Sequence, residues 1–76
     1  MPHVTIKCYP GRSEEQKKLL AQKVAADIVE CFGAGEGSIS IDIQEVPQEQ
    51  WNEDVWDKDI EPRMDELYKK PRYTKT

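Results

Sequence analysis

The chain has 76 residues, with 11 Lys and Arg against 15 Asp and Glu, so its formal net charge is −4 at pH 7. A chain this short forms one domain at most, and folding hides only a little over ~60% of the surface exposed by the unfolded form. We therefore expect one domain, residues 1–76, whose thin core is supplemented by a partner subunit. The acidic balance disfavours a nucleic-acid partner, because phosphate contacts require Lys and Arg.

The two cysteines and the lack of targeting segments predict the compartment. Cys8 and Cys31 do not have CxxC spacing, and the sequence shows neither a secretory signal nor an apolar stretch of membrane length. We expect a reduced cytoplasmic protein with no membrane partner. In such a protein both thiols are most simply buried as small hydrophobic side chains.

The run HVTIKC near the start predicts the first strand. Val4, Ile6 and Cys8 alternate with polar residues, as a half-buried strand requires. Pro10 and Gly11 then predict a turn.

The following segment predicts one long amphipathic helix. Ser13 and Gln16 have the spacing of a capping box, which marks a helix start, and Gly33 marks its end. Between them, apolar residues recur every four positions and form one stripe: Leu20, Val24 and Ile28.

A second strand is predicted from the strict alternation of SISIDIQEV. Strand, helix and strand form a β-α-β unit, whose two strands run parallel with a right-handed crossover. Two strands leave both sheet edges open. The predicted fold class is therefore α+β: a β-α-β unit with short C-terminal helices, paired with a second copy into a four-stranded sheet. We expect a homodimer, although a hexamer built of dimers would satisfy the same edges.

The last third of the chain, QEQWNEDVWDKDIEPRMDELYKK, predicts one or two helices broken near Pro62. Trp51 and Val55 lie one turn apart in it. For Trp56 and Tyr68, periodicity favours ordinary packing over the alternative that they border a pocket. The basic end KKPRYTKT is short and has few aromatic residues, so we expect a frayed, solvated tail.

Several kinds of active site are disfavoured by the residues present. His3 is the only histidine and no Cys/His cluster has ligand spacing, so we expect no metal site and interpret His3 as a strand-surface residue. No phosphate-binding glycine loop appears, and no serine has a convincing histidine partner. We expect no cofactor.

Pro2 is the remaining candidate for chemistry. If the cell removes Met1, Pro2 acquires a free secondary amine; α-amino groups have a pKa near ~7.7 to 8.0, which burial lowers. Such a group is a suitable general base near neutral pH, and its ring restricts the direction of the nitrogen. The alternative is a proline that simply tolerates the first position of a strand.

The sequence resembles a known family over roughly its first two thirds. MPHVTIKCYPGRSEEQKKLLAQKVAADIVE is similar to the start of the 4-oxalocrotonate tautomerase superfamily, and SISIDIQEV and Trp51 extend the similarity. The end, WDKDIEPRMDELYKKP, is most similar to the short dimeric members. The resemblance implies a single tautomerase-like domain and a cofactor-independent isomerase for keto-enol interconversion of a small 2-oxo acid. It also implies site roles: Pro2 as general base, Arg12 as the carboxylate-binding residue and Trp51 as an apolar wall.

One position departs from the family pattern. The hexameric members have a second arginine in the second strand, where this sequence has Ser40. Ser40 can donate a hydrogen bond to substrate, but a neutral donor is weaker than a charged one by roughly a factor of two. We therefore expect a monocarboxylate substrate, such as the aryl enolpyruvate phenylenolpyruvate.

Two alternatives stay open at this point. The superfamily also contains dehalogenases and hydratases, in which a cationic Pro2 would act as an acid. If Met1 is retained, Pro2 has no amine, and the chain would be a non-catalytic dimeric interaction module.

Overall fold

The computed structural model describes residues 1–75, which form two compact units. The first runs from Met1 to Glu45, and the second begins at Val46. The first unit contains strand β1 (His3–Cys8), helix α1 (Glu14–Phe32) and strand β2 (Ser40–Glu45). This order confirms the predicted β-α-β unit. The single domain over residues 1–76 stays a prediction. Its last residue, Thr76, lies outside the described residues.

The two strands pair in parallel, as predicted, and form a sheet with two different faces. Their register places His3 opposite Ser40 and Cys8 opposite Glu45. The face toward α1 carries half-buried aliphatic residues: Val4, Ile6, Ile41 and Ile43. The opposite face carries exposed polar residues: His3, Thr5, Ser40, Asp42 and Gln44.

Helix α1 begins and ends at the predicted residues. The Gln16 backbone N–H donates to Ser13 Oγ at 3.1 Å, and the Ser13 backbone N–H donates to Gln16 Oε1 at 2.8 Å, which completes the capping box. Gly33 ends the helix with φ of 68°, a left-handed conformation that glycine adopts without steric cost.

The first unit has no fully buried side chain among the residues of α1. Leu20 and Phe32 are 42% and 76% exposed, because a two-stranded sheet is too narrow to cover the apolar side of a helix this long. Cys8 is half-buried and Cys31 is exposed, so the prediction of two buried thiols is wrong for Cys31.

The second unit consists of short helical segments of unusual geometry. A 3-10 turn (Gln48–Gln50) leads into a π-helical segment (Asn52–Ile60) and a second 3-10 segment (Glu61–Glu66). The Glu61 N–H donates to the Trp56 carbonyl five residues earlier, as in a π-helix. The break predicted near Pro62 appears as the change of helix type at Glu61 and as a non-helical backbone at Arg63. Short C-terminal helices are thus confirmed, but a 3.6-residue period does not predict their π and 3-10 geometry.

An aromatic cluster forms the core of the second unit. Val55 and Trp56 are each only 4% exposed, and they are the buried hydrophobic residues among residues 1–75. The Tyr73 ring packs against Trp56 with centroids 5.4 Å apart. Lys75 Nζ lies 2.9 and 3.2 Å from the two carboxylate oxygens of Asp57. The tail is solvent-exposed as predicted up to Lys75, apart from the half-buried Pro71, but the prediction that it is frayed is wrong for Tyr73 and Lys75, which both have partners. Thr76 lies outside the described residues.

None of the helices within residues 1–75 combines the length and the hydropathy of a membrane span.

Candidate active site

Pro2 lies immediately before β1 and is half-buried. Its carbonyl oxygen accepts a hydrogen bond from the Ser40 backbone N–H at 3.2 Å, which ties it to the start of β2. The Pro2 nitrogen is part of the Met1–Pro2 peptide bond, so it becomes a base only when Met1 is removed. The Met1 side chain is fully exposed, which leaves that end of the chain accessible to an aminopeptidase.

Ser40 is also bonded to the histidine that follows Pro2. His3 Nδ1 lies 2.6 Å from Ser40 Oγ, and His3 Nε2 lies 3.5 Å from Thr5 Oγ1. His3 is exposed on the polar face of the sheet, in agreement with its interpretation as a surface residue. Sequence reasoning missed its partner, because alternation identifies the two strands but does not determine their register. The sequence signal that could have indicated this contact is that each strand begins with a polar residue, His3 in β1 and Ser40 in β2.

Arg12 lies in the loop after β1, away from Pro2 in the same chain. Its Nη1 donates to the Tyr9 carbonyl at 3.1 Å, which holds the guanidinium beside the end of β1. Pro2 lies before the start of that strand, whose six residues span roughly 20 Å at about 3.3 Å per residue. A guanidinium has five N–H donors, so the bond to Tyr9 leaves others for a carboxylate. The first unit thus brings Pro2 and Ser40 together, but not Pro2 and Arg12.

Trp51 belongs to the second unit, where it joins the 3-10 turn to the π-helical segment. The indole is half-buried, and its Nε1–H donates to the Tyr73 hydroxyl at 3.2 Å. Trp56 is a core residue, as predicted, and its Nε1–H donates to Glu61 Oε2 at 3.4 Å. The packing prediction is wrong for Tyr68, which is fully exposed.

The charged residues near α1 pair with one another. Lys17 Nζ lies 2.8 Å from Glu14 Oε1 and 3.6 Å from Glu45 Oε1. The hydrogen bond from Lys17 lowers the pKa of Glu14, and the same bond raises the pKa of Lys17. Glu14 and Lys17 border a shallow concavity of about 300 Å³ over Ile41 and Ile43. The Lys17–Glu45 pair links α1 to β2. Among the described residues, no group of three or more His, Cys, Asp and Glu side chains could hold a metal ion.

Comparison with known proteins identifies the family. A family model described as "Tautomerase enzyme" matches residues 2–53, a range that begins at Pro2. The chain belongs to the tautomerase family. The tautomerase is 45% identical over 75 residues to Tautomerase PptA of Enterobacter sp. (strain 638), covering 97% of this chain and 99% of that protein. It is 41% identical to Tautomerase PptA of Shigella sonnei (strain Ss046), with the same coverage.

Solved structures place the tautomerase within the predicted superfamily. YwhB, a homologue of 4-oxalocrotonate tautomerase, superposes with a TM-score of 0.61 and 40% identity, covering 62% of this chain and 77% of that one. A heterohexamer 4-oxalocrotonate tautomerase from Chloroflexus aurantiacus J-10-fl gives a TM-score of 0.65 and 35% identity, covering 67% and 82%. The resemblance to this superfamily is therefore confirmed, and the chain is an enzyme of the isomerase class.

Proposed function

We propose that this tautomerase interconverts the keto and enol forms of a small 2-oxo acid such as phenylenolpyruvate, with the amine of Pro2 as general base. The observation that carries this proposal is the placement of Pro2, half-buried and bonded through its carbonyl to the Ser40 N–H at 3.2 Å. A nitrogen held by a strand and partly shielded from water suits a base that must aim its lone pair at one substrate atom.

In this reaction Pro2 transfers a proton between two atoms of the same substrate. The neutral amine accepts the proton of the enol hydroxyl, and the resulting ammonium returns a proton to the neighbouring carbon, so that no cofactor is consumed. Arg12 would bind the substrate carboxylate through parallel hydrogen bonds, for which its planar guanidinium is suited. The Ser40 hydroxyl would donate to the substrate oxygen, and Trp51 would provide an apolar wall. We further propose that the reaction takes place in the cytoplasm.

We also propose that the active form is a homodimer in which each site takes residues from both copies. The proposal is supported by the separation of Arg12 from Pro2 within one chain. Arg12 is bonded beside the end of β1, whereas Pro2 precedes the start of β1. Antiparallel pairing of two β1 edges would bring Arg12 of one copy toward Pro2 of the other, and it would also extend the two-stranded sheet to four strands.

The first experiment tests the base. Intact mass of the untagged protein should show that Met1 is absent, and Pro2→Ala should lower phenylenolpyruvate ketonisation by about 10² or more. Pro62→Ala makes the same substitution at an exposed position of the second unit and should leave the rate unchanged. Retention of Met1, or full activity in Pro2→Ala, would overturn the proposal.

The second experiment separates base from acid. The Pro2 amine of ¹⁵N-labelled protein should titrate at or below neutral pH if it acts as a base. A titration point clearly above that range would instead favour the dehalogenase or hydratase alternative, in which Pro2 is an acid.

The third experiment tests the shared site. Pro2→Ala and Arg12→Ala proteins, each inactive alone, are mixed and allowed to exchange subunits. Half of the dimers become hybrids with one intact site, so activity should recover to about a quarter of the wild-type value. No recovery in mixtures that light scattering shows to be exchanged dimers would contradict the shared site, and a hexameric mass would replace the homodimer by a larger assembly.

A further inference from the structure

The polar face of the sheet contains a hydrogen-bonded row that begins next to the proposed base. His3 follows Pro2 directly, and its ring is bonded to Ser40, 37 residues away in the sequence. Ser40 in turn donates its backbone N–H to the Pro2 carbonyl. One residue, Ser40, is therefore bonded both to Pro2 and to the only imidazole of the chain.

The direction of the His3–Ser40 hydrogen bond decides what Ser40 can do. If the Ser40 hydroxyl donates to Nδ1, its single proton is used and cannot reach a substrate. If Nδ1–H donates to Ser40 Oγ, the hydroxyl proton is free to be donated elsewhere. The proposed role of Ser40 as a donor to the substrate oxygen requires the second arrangement.

Thr5 provides a partner for the other ring nitrogen in that second arrangement. Its hydroxyl lies 3.5 Å from His3 Nε2, a long distance that allows a weak bond. A hydroxyl that donates to Nε2 needs that nitrogen to be without a proton, and a neutral ring then carries its proton on Nδ1. Thr5 and Ser40 contact the two different ring nitrogens, and in the second arrangement Thr5 donates to Nε2 while Ser40 accepts from Nδ1–H.

We propose that His3 is a positioning residue, which donates Nδ1–H to Ser40 and thereby directs the Ser40 hydroxyl proton toward the substrate oxygen. Hydrogen bonds in such a chain polarise one another, so the Ser40 hydroxyl becomes a better donor than an isolated serine. The inference rests on the proposed function, because it needs a substrate oxygen that Ser40 contacts.

The test is a panel of variants assayed for kcat and KM with phenylenolpyruvate. We expect His3→Leu to lower kcat about threefold to tenfold, the range of one net hydrogen bond, with little change in KM. His3→Asn should recover most of the rate, because its amide can donate from nearly the position of Nδ1. Lys7→Leu changes the same face of the same strand and is the matched control, with no change in kcat expected.

A double variant separates positioning from a general structural effect. If His3 acts through Ser40, then His3→Leu combined with Ser40→Ala should be no slower than Ser40→Ala alone. Additive losses, or an unchanged kcat in His3→Leu, would overturn the inference while leaving the proposed function intact. Wild-type protein without Pro2-dependent activity would overturn both.

A spectroscopic measurement covers the case in which His3→Leu does not fold. Imidazole ¹⁵N chemical shifts of wild-type protein distinguish the two neutral tautomers. A proton on Nδ1 and none on Nε2 is expected, and the reverse pattern would contradict the inference without any variant.

Discussion

The two units of this tautomerase differ in the regularity of their backbone and in the burial of their side chains. The first has regular strands and a capped helix of 19 residues, yet that helix has no fully buried side chain. The second has π and 3-10 geometry, yet it contains the buried Val55 and Trp56. Backbone regularity and side-chain burial are therefore separate properties in this chain. The first unit leaves apolar side chains of α1 exposed, which the proposed second copy would help to cover, whereas the second unit contains buried side chains of its own.

The largest loss of stability is expected in the aromatic cluster of Trp51, Trp56 and Tyr73. Trp56 is 4% exposed, so Trp56→Ala should lower the free energy of unfolding by about 3 to 5 kcal/mol. Urea unfolding followed by circular dichroism at fixed protein concentration measures this change. Tyr68→Ala is the control, because Tyr68 is fully exposed and its truncation should cost no more than about 0.5 kcal/mol. Equal costs for the two variants would show that the second unit is not closed around Trp56.

The next effect tests whether a second copy covers the sheet. Ile6 is only half-buried in one chain, but in the proposed homodimer Ile6→Ala should cost about 2 kcal/mol or more, as for a core residue. The cost is measured by urea unfolding at several protein concentrations, since unfolding of a dimer depends on concentration. Thr5→Ala on the polar face provides the control. A small, concentration-independent cost for Ile6→Ala would argue against cover by a second copy.

A smaller effect is expected at the start of α1. Ser13→Ala removes the oxygen that accepts the Gln16 N–H, and it should lower the free energy of unfolding by about 1 kcal/mol. Ser13→Thr retains an oxygen at that position and should lose much less. Equal losses in thermal unfolding experiments would show that the capping box does not stabilise the helix.

The smallest loss of stability is expected at Lys17, which pairs with Glu14 in α1 and with Glu45 in β2. Because Lys17 lowers the pKa of Glu14, the contribution of Glu14 to stability is complete above the ordinary carboxyl pKa and is lost as the pH falls through the lowered value. The raised pKa of Lys17 gives the opposite pH dependence. The contribution of Lys17 to stability is complete below the ordinary lysine pKa and is lost as the pH rises through the raised value.

Melting temperatures of wild type and Lys17→Met, measured from neutral to strongly acidic pH, test this sign. The difference should be small at neutral pH and should disappear in acid. Lys23→Met, at an exposed position of the same helix, should show no such dependence. A difference that grows as the pH falls would be opposite to the expected sign.

Local patterns were sufficient to predict the first unit. Alternation locates β1 and β2, and Ser13 and Gly33 mark the ends of α1 through bonds within four residues. These signals act over short stretches of chain, so they need no knowledge of tertiary contacts.

The long-range contacts could not be predicted in this way. Tyr73 meets Trp51 across 22 residues, and His3 meets Ser40 across 37. Both contacts depend on how separate segments pack or pair, which composition and periodicity do not determine. For this reason periodicity predicts neither the partners of Tyr73 and Lys75 near the end of the chain nor the contact of the surface residue His3 with Ser40.

Both tryptophans of the chain, Trp51 and Trp56, lie in the second unit. Tryptophan fluorescence, excited where tyrosine does not absorb, therefore reports on the second unit, while the far-ultraviolet helical signal comes mainly from α1. Recording both during one denaturation shows whether the two units melt together. Curves that coincide would establish a single cooperative transition, and curves that separate would reveal an intermediate in which only one unit is folded.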